Sequence, residues 1–170
     1  MADVMVDLET MDSAGTAAIT AIGAVSFDFN GSIISEFYVK VDLQSSMDAG
    51  CTVSGATINW WLTQNEQART EMATKGIPLS RALDQFSEWL PKGTKLWGNG
   101  ASFDNTILSH AYKSTGKEQP WKFWDDRCYR TIKNLYPSIT LERQGTYHHA
   151  LHDAKTQAEH LIKIFKDRSK

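Results

Sequence analysis

The sequence predicts an α/β fold. Three observations carry that expectation: strand-like apolar segments crowd residues 1–41, apolar residues recur at helical spacing beyond residue 57, and a short apolar run at 94–97 leads through Gly98-Asn99-Gly100 into a further helix. With 170 residues, 41% hydrophobic and 11% aromatic, the chain suits one well-packed domain spanning 1–170.

Taken in order, Val4-Met5-Val6-Asp7-Leu8-Glu9 reads as a strand with Val4, Val6 and Leu8 on one face and the carboxylates of Asp7 and Glu9 together on the other. Residues 11–16 are small and polar and read as a turn. Residues 17–29, rich in Ile, Val and Phe, predict a second strand, and Asn30-Gly31 a tight hairpin into a third. There Ile34, Glu36, Tyr38 and Lys40 alternate with Ile33, Phe37, Val39 and Val41. The sheet therefore starts antiparallel. Residues 42–55 read as a polar loop. Ile58, Trp61, Leu62 and Ala68 then follow helical spacing, with Thr57 as one possible cap and both tryptophans assigned to the core; Leu79, Leu83, Phe86 and Leu90 do so again before Pro91 and Gly93. The run at 94–97 reads as a buried strand and 102–112 as a helix with Asp104 in its first turn, a unit that gathers side chains at the strand's carboxyl end. Residues 116–126 are irregular, 127–135 form a short helix stopped by Pro137, and Ala150, Leu151, Ala154, Ala158, Leu161, Ile162 and Phe165 mark a long closing helix. Lys163, Lys166, Arg168 and Lys170 fall on its far side and end, as a solvated basic face.

A net charge of −2 excludes a globally basic nucleic-acid binder, so any such binding rests on a local patch or on bridging cations. Cys51 and Cys128, far apart in a chain this size, read as reduced thiols of a cytoplasmic protein. The start lacks a basic leader, and the longest mainly apolar stretch, 17–27, is too short to cross a bilayer, so no membrane association is expected.

Asp7 and Glu9 side by side are costly unless a proton or a hard cation lies between them. Alone, the pair also fits a solvated acidic edge; likewise Asp104 fits a dipole-favoured first-turn acid and Asp153 an exposed one. Around Asp153 the text reads His148-His149-Ala150-Leu151-His152-Asp153, which on helical spacing also permits a zinc-like cluster.

Three segments together resemble one family. Asp7-Leu8-Glu9-Thr10, Asn99-Gly100-Ala101-Ser102-Phe103-Asp104 and His148-His149-Ala150-Leu151-His152-Asp153 resemble, in this order, the three motifs of the DEDDh 3′-to-5′ exonucleases. The wording Asp-Leu-Glu-Thr-Met, Trp60-Trp61 with Gln64, and Trp97-Gly-Asn-Gly is similar to a phage-type branch that includes exodeoxyribonuclease VIII-like proteins and has relatives acting on RNA.

The resemblance implies an RNase H-like fold: a central mixed sheet of five strands, the first three antiparallel, flanked by helices. It implies two Mg²⁺ or Mn²⁺ ions per site, the first held by Asp7, Glu9 and Asp153, the second by Asp7 and Asp104, with His148 as general base. By residues alone, the adjacent His149 could take the base's place if the loop were offset by one residue. Leu8, Thr10, Met11, Asn99 and Phe103 are the implied contacts to the terminal nucleotide, and Arg127, Arg130, Lys133 and Arg143 candidates for guiding the strand. The implied substrate is nucleic acid with a free 3′ end, single-stranded or frayed DNA first and RNA second, in a cytoplasmic setting in a bacterium or a phage-infected cell, with a homodimer as a possible assembly.

Overall fold

The computed structural model describes residues 2–143, 145 and 147–168; the expected basic residue Lys170 lies outside them. Five strands form one mixed sheet in the order β3-β2-β1-β4-β5: β1 Asp3–Thr10, β2 Ile19–Phe27, β3 Ile33–Lys40, β4 Lys95–Gly98 and β5 Asp126–Cys128. The first three are antiparallel, whereas β4 runs parallel to β1 and β5 parallel to β4. This is the architecture expected.

The central position of β1 follows from its sequence, because both of its faces are apolar near its start. Val4, Val6 and Leu8 pack under α4 (Leu79–Trp89) and α5 (Asp104–Ser114), against Leu83, Phe86, Ile107 and Leu108. Met5 faces the opposite layer, where α7 (Ala150–Arg168) lays Ala154, Ala158 and Leu161 across β1 and β2, joined by Tyr129 of α6 (Tyr129–Leu135). Each fully buried Val, Leu or Ile contributes about 1.5–3 kcal/mol relative to exposure, so this three-layer packing dominates stability. At the carboxyl end of β1 the α7-facing side changes from Met5 to Asp7 and Glu9, and the polar site begins there.

Four local differences from the sequence reading have identifiable causes. The turn between β2 and β3 spans five residues rather than two, because the Asp28 carboxylate accepts from the amides of Gly31 and Ser32 and closes a wider loop. A register shift beside Phe27 then turns Ile33 to the α7 layer, away from Phe37, Val39 and Val41. Residues 42–55 are not all loop: α1 (Leu43–Asp48) forms because Asp42 caps it through Ser45 N and the buried Ser46 hydroxyl donates to Ile19 O. The next helical stretch is two helices, α2 (Gly55–Leu62) and α3 (Glu66–Ala73), with Ser54 and Asn65 at their N-caps and Thr57 inside the first.

Strand β5, three residues long, is too short for alternation to reveal. Side chains hold it instead: Asn105 Nδ2 donates to Asp126 Oδ1 at 2.7 Å and Trp121 Nε1 donates to the same oxygen at 2.9 Å. Both cysteines are free thiols, and among the described residues no helix is long and apolar enough to cross a membrane.

Candidate active site

Asp7 and Glu9 point from β1 toward α7, and what stands opposite them in β2 decides how close α7 can come. Their cross-strand partners are Gly23 and Ala21. A Cβ on Gly23 would lie 2.2 Å from both the Ala150 carbonyl carbon and the Leu151 nitrogen, so the first turn of α7 rests directly on the bare backbone of β2. That contact delivers Asp153, in the same turn, to the strand carboxylates. One oxygen from each of Asp7, Glu9 and Asp153 falls within 4.8 Å of the others.

Asp104 arrives from the other side. Strand β4 ends at Gly98, where a Cβ would sit 2.4 Å from Asn105 Oδ1 and 3.0 Å from Asp104 Cβ. The bare residue lets α5 start tight against the strand end, and Leu8 N donates to Asp104 Oδ1 at 3.2 Å. Only 2% of Asp104 is exposed.

Burial raises all four acids, and repulsion by neighbouring carboxylates adds to it at Asp7 and Glu9. Burial comes first for Asp7, which is held well above the usual carboxylate range, followed by repulsion from Asp104, Glu9 and Asp153 and opposed by Gln157. Glu9 is pushed up to about 8 by burial and then by Asp153, against the pull of Lys40. Burial lifts Asp104 to about 7 despite the amides of Leu8 and Asn99, and Asp153 is raised by burial against Arg143 and His148. An all-oxygen cluster with this much unrelieved repulsion fits a hard divalent cation. A histidine zinc centre does not fit: among the described residues the groups able to converge on a metal contain no histidine, and His149 is stacked between Tyr38 and His152, at 4.5 and 4.1 Å.

His148 is different. It stands just before α7 with a φ of 59°, a left-handed conformation unusual for a residue with a side chain, and its ring lies 4.9 Å from Trp60 and 5.9 Å from Trp61, edge to face. Its ring lines the same cleft of about 430 Å³ as Asp7, Glu9 and Asp153. Arg130, Lys133 and Arg143 line it as well, Arg130 donating to Asn99 O at 2.7 Å and Arg143 paired with Asp153 at 3.3 Å.

Residues 2–165 match the family of the 3′-5′ exoribonuclease Rv2179c-like domain. The chain belongs to that family. This exonuclease, a hydrolase of nucleic-acid ends, is also 28% identical over 160 residues to an exodeoxyribonuclease of Enterobacteria phage T4, covering 77% of the chain and 70% of the relative. Solved nuclease structures share its fold, among them two bound to nucleotides. The nuclease domain of 3′hExo, a DEDDh family member bound to rAMP, gives a TM-score of 0.66 at 15% identity, over 98% of this chain and 92% of that one. E. coli exonuclease I in complex with a dA16 oligonucleotide gives 0.69 at 12% identity, over 98% of this chain and 42% of that one. The RNase H-like exonuclease sheet expected from the motifs is thus the fold observed.

The remaining expected positions divide. Leu8, Asn99 and Phe103 line the acidic cleft, and Leu8, Thr10 and Phe103 line a neighbouring recess with Trp60 and Trp61. Met11 lines neither: its amide donates to Ala18 O, its carbonyl accepts from Ser54 N, and its side chain packs on the core. Of the basic candidates, Arg127 stands apart, its guanidinium donating to the carbonyls of Trp124 and Asp126. The two adjacent tryptophans also part company. Trp61 is buried and donates to Thr10 O at 3.0 Å, whereas Trp60 is 44% exposed and lines both spaces. Gln157 escaped the sequence reading altogether. It donates to Asp7 Oδ1 at 2.7 Å, and its signal was its place four residues after Asp153 on one helix face.

Proposed function

We propose that the exonuclease removes nucleotides one at a time from the 3′ end of single-stranded or frayed DNA, releasing nucleoside 5′-monophosphates, with two divalent cations. The observation that carries this reading is the convergence of Asp7, Glu9 and Asp153 in a cleft that His148, Arg130 and Lys133 also line, with Asp104 buried next to it on the Leu8 amide. Asp7, Glu9 and Asp153 would hold one Mg²⁺ or Mn²⁺, and Asp7 with Asp104 the second. When bound, such ions supply positive charge that stabilises an in-line displacement at phosphorus.

The chain's own groups do the rest. His148 accepts the proton of the attacking water at its imidazole; the water oxygen bonds to phosphorus, the bond to the 3′ oxygen breaks, and that oxygen leaves as the new 3′-hydroxyl once protonated. Phe103 and Trp60 offer apolar walls to the terminal nucleoside, with Leu8 and Thr10 beside them and the Asn99 amide within reach of its sugar or phosphate. Arg130 and Lys133 receive phosphates further along the strand, and Arg143, paired with Asp153, receives one beside the carboxylates. The phage exodeoxyribonuclease relative supports DNA as substrate, and the family's description as an exoribonuclease supports RNA as the second reading.

The test is digestion of a 5′-labelled single-stranded oligodeoxynucleotide and its RNA twin with Mn²⁺ or Mg²⁺, with Asp153→Ala alongside. A ladder shortening from the 3′ end in the wild type and missing in the variant is expected, with DNA the faster substrate; faster RNA digestion would transfer the assignment to RNA. For Lys133→Ala we expect a KM several-fold higher with kcat little changed. The salt dependence should also flatten, the slope of log affinity on log salt falling by roughly 0.7 for one lost phosphate contact on a single strand. An unchanged slope would remove Lys133 from the strand path.

A further inference from the structure

Residue Gln157 is 6% exposed, sits among charged groups, and leaves half of its amide unused. Its Nε2 donates to Asp7 Oδ1 at 2.7 Å, while its Oε1 is buried without a hydrogen-bond partner among the described residues. Leaving a buried acceptor unpaired is costly, so an amide kept there is held for something the protein alone does not show. The position is specific. Asp153 and Gln157 lie four apart on α7 and share the face turned to β1, and Gln157 lines the acidic cleft with Asp7, Glu9 and Asp153.

From this geometry we propose that Gln157 is the positioning residue of the cation centre: its N–H fixes the Asp7 carboxylate in the ligating orientation, and its free Oε1 accepts a hydrogen bond from the hydration water of a divalent cation entering between Asp7, Glu9 and Asp153. The proposal rests on the cation reading above. Chemistry favours an amide at this point over other polar groups. A lysine or arginine would neutralise Asp7 and compete with the cation, and a glutamate would add a further negative charge to the cluster. An amide offers a donor to the carboxylate and, on a separate atom, an acceptor to water without changing the charge. Partners of this kind behind a ligand typically govern metal affinity by about 10–100-fold.

The test is calorimetric titration of Mn²⁺ into the protein without nucleic acid, for wild type, Gln157→Leu, Gln157→Met and Asp153→Ala. Methionine keeps the length of the side chain and removes both polar atoms, so it serves if leucine impairs folding, which circular dichroism checks. Gln157→Leu or Gln157→Met should bind Mn²⁺ about tenfold more weakly than wild type. In nuclease assays the same variants should need about tenfold more Mn²⁺ for half-maximal rate, with much of kcat recovered at saturating Mn²⁺. Wild-type Mn²⁺ affinity in both variants, or a fall in kcat with an unchanged Mn²⁺ requirement, overturns the proposal. If Asp153→Ala binds Mn²⁺ as wild type does, the cation reading itself is wrong. Loss in Asp153→Ala with no change at position 157 refutes only the role given to Gln157.

Discussion

Asp7→Asn is expected to lower kcat by roughly 10³-fold or more while making the cation-free protein more stable. The two effects share one cause. Asp7 is partly buried beside Asp104, Glu9 and Asp153, each of which repels it, so the folded chain without cation carries a cost that an uncharged side chain escapes. Because each kcal/mol moves the midpoint by roughly 2–4 °C in a chain of this size, a rise of about 5 °C is expected in EDTA at pH 8. The pH dependence has a definite sign. Glu9 titrates near 8 in the folded protein against 4.5 for an ordinary glutamate, so between these values the folded state keeps a proton that the unfolded state has released. Stability present below pH 4.5 is therefore lost as pH rises through about 8, and the raised carboxyls of Asp7, Asp104 and Asp153 act in the same direction. Divalent cation should reverse the loss, by about 2.7 kcal/mol at a hundredfold excess over its Kd. Thermal melts of wild type and Asp7→Asn from pH 5 to 8.5, with EDTA or Mn²⁺, check this. A wild type whose midpoint rises with pH in EDTA, or an Asp7→Asn that melts lower, would contradict it.

What could be read in advance followed from local chemistry. The two faces of β1, the breaker at Pro91, the strand-to-helix unit holding Asp104 and the apolar stripe of α7 are each written in consecutive residues, and the order of three short motifs fixed the expected site. What could not be read depends on partners distant in sequence. The three residues of β5 carry no periodicity and are held by Asn105 and Trp121. Trp60 and Trp61 look alike in sequence, and only the bond from Trp61 to the Thr10 carbonyl buries one and leaves the other at the cleft. Met11, although it adjoins the first motif, has both backbone groups engaged with Ala18 and Ser54. Gln157 was invisible for the opposite reason: a glutamine on a long helix is ordinary until its neighbour is known to be Asp7.

Gly23→Ala, a change of one methyl group in a residue that bears no chemistry, is expected to lower activity by about 100-fold and stability by roughly 2–4 kcal/mol. Gly23 pairs with Asp7 across the β1–β2 ladder, and the space its Cβ would occupy is already filled by the carbonyl of Ala150 and the nitrogen of Leu151. These are backbone atoms, so no rotamer relieves the collision, and trimming Ala150 to glycine should not rescue it. Helix α7 must lift from the sheet, and Asp153 and Gln157 move away from Asp7 and Glu9 with it. Displacing a catalytic group by about 1 Å commonly costs about 100-fold, which sets the expected loss. Gly55→Ala is the matching control, since a Cβ there meets nothing within 4 Å. It should retain wild-type activity and melt no lower. The lifted helix should also weaken Mn²⁺ binding in Gly23→Ala below its melting temperature, which separates displacement of the site from simple unfolding. A Gly23→Ala protein that cleaves and binds Mn²⁺ like wild type would mean that α7 does not owe its seat to that bare position, and the account of how the carboxylates meet would have to be rebuilt.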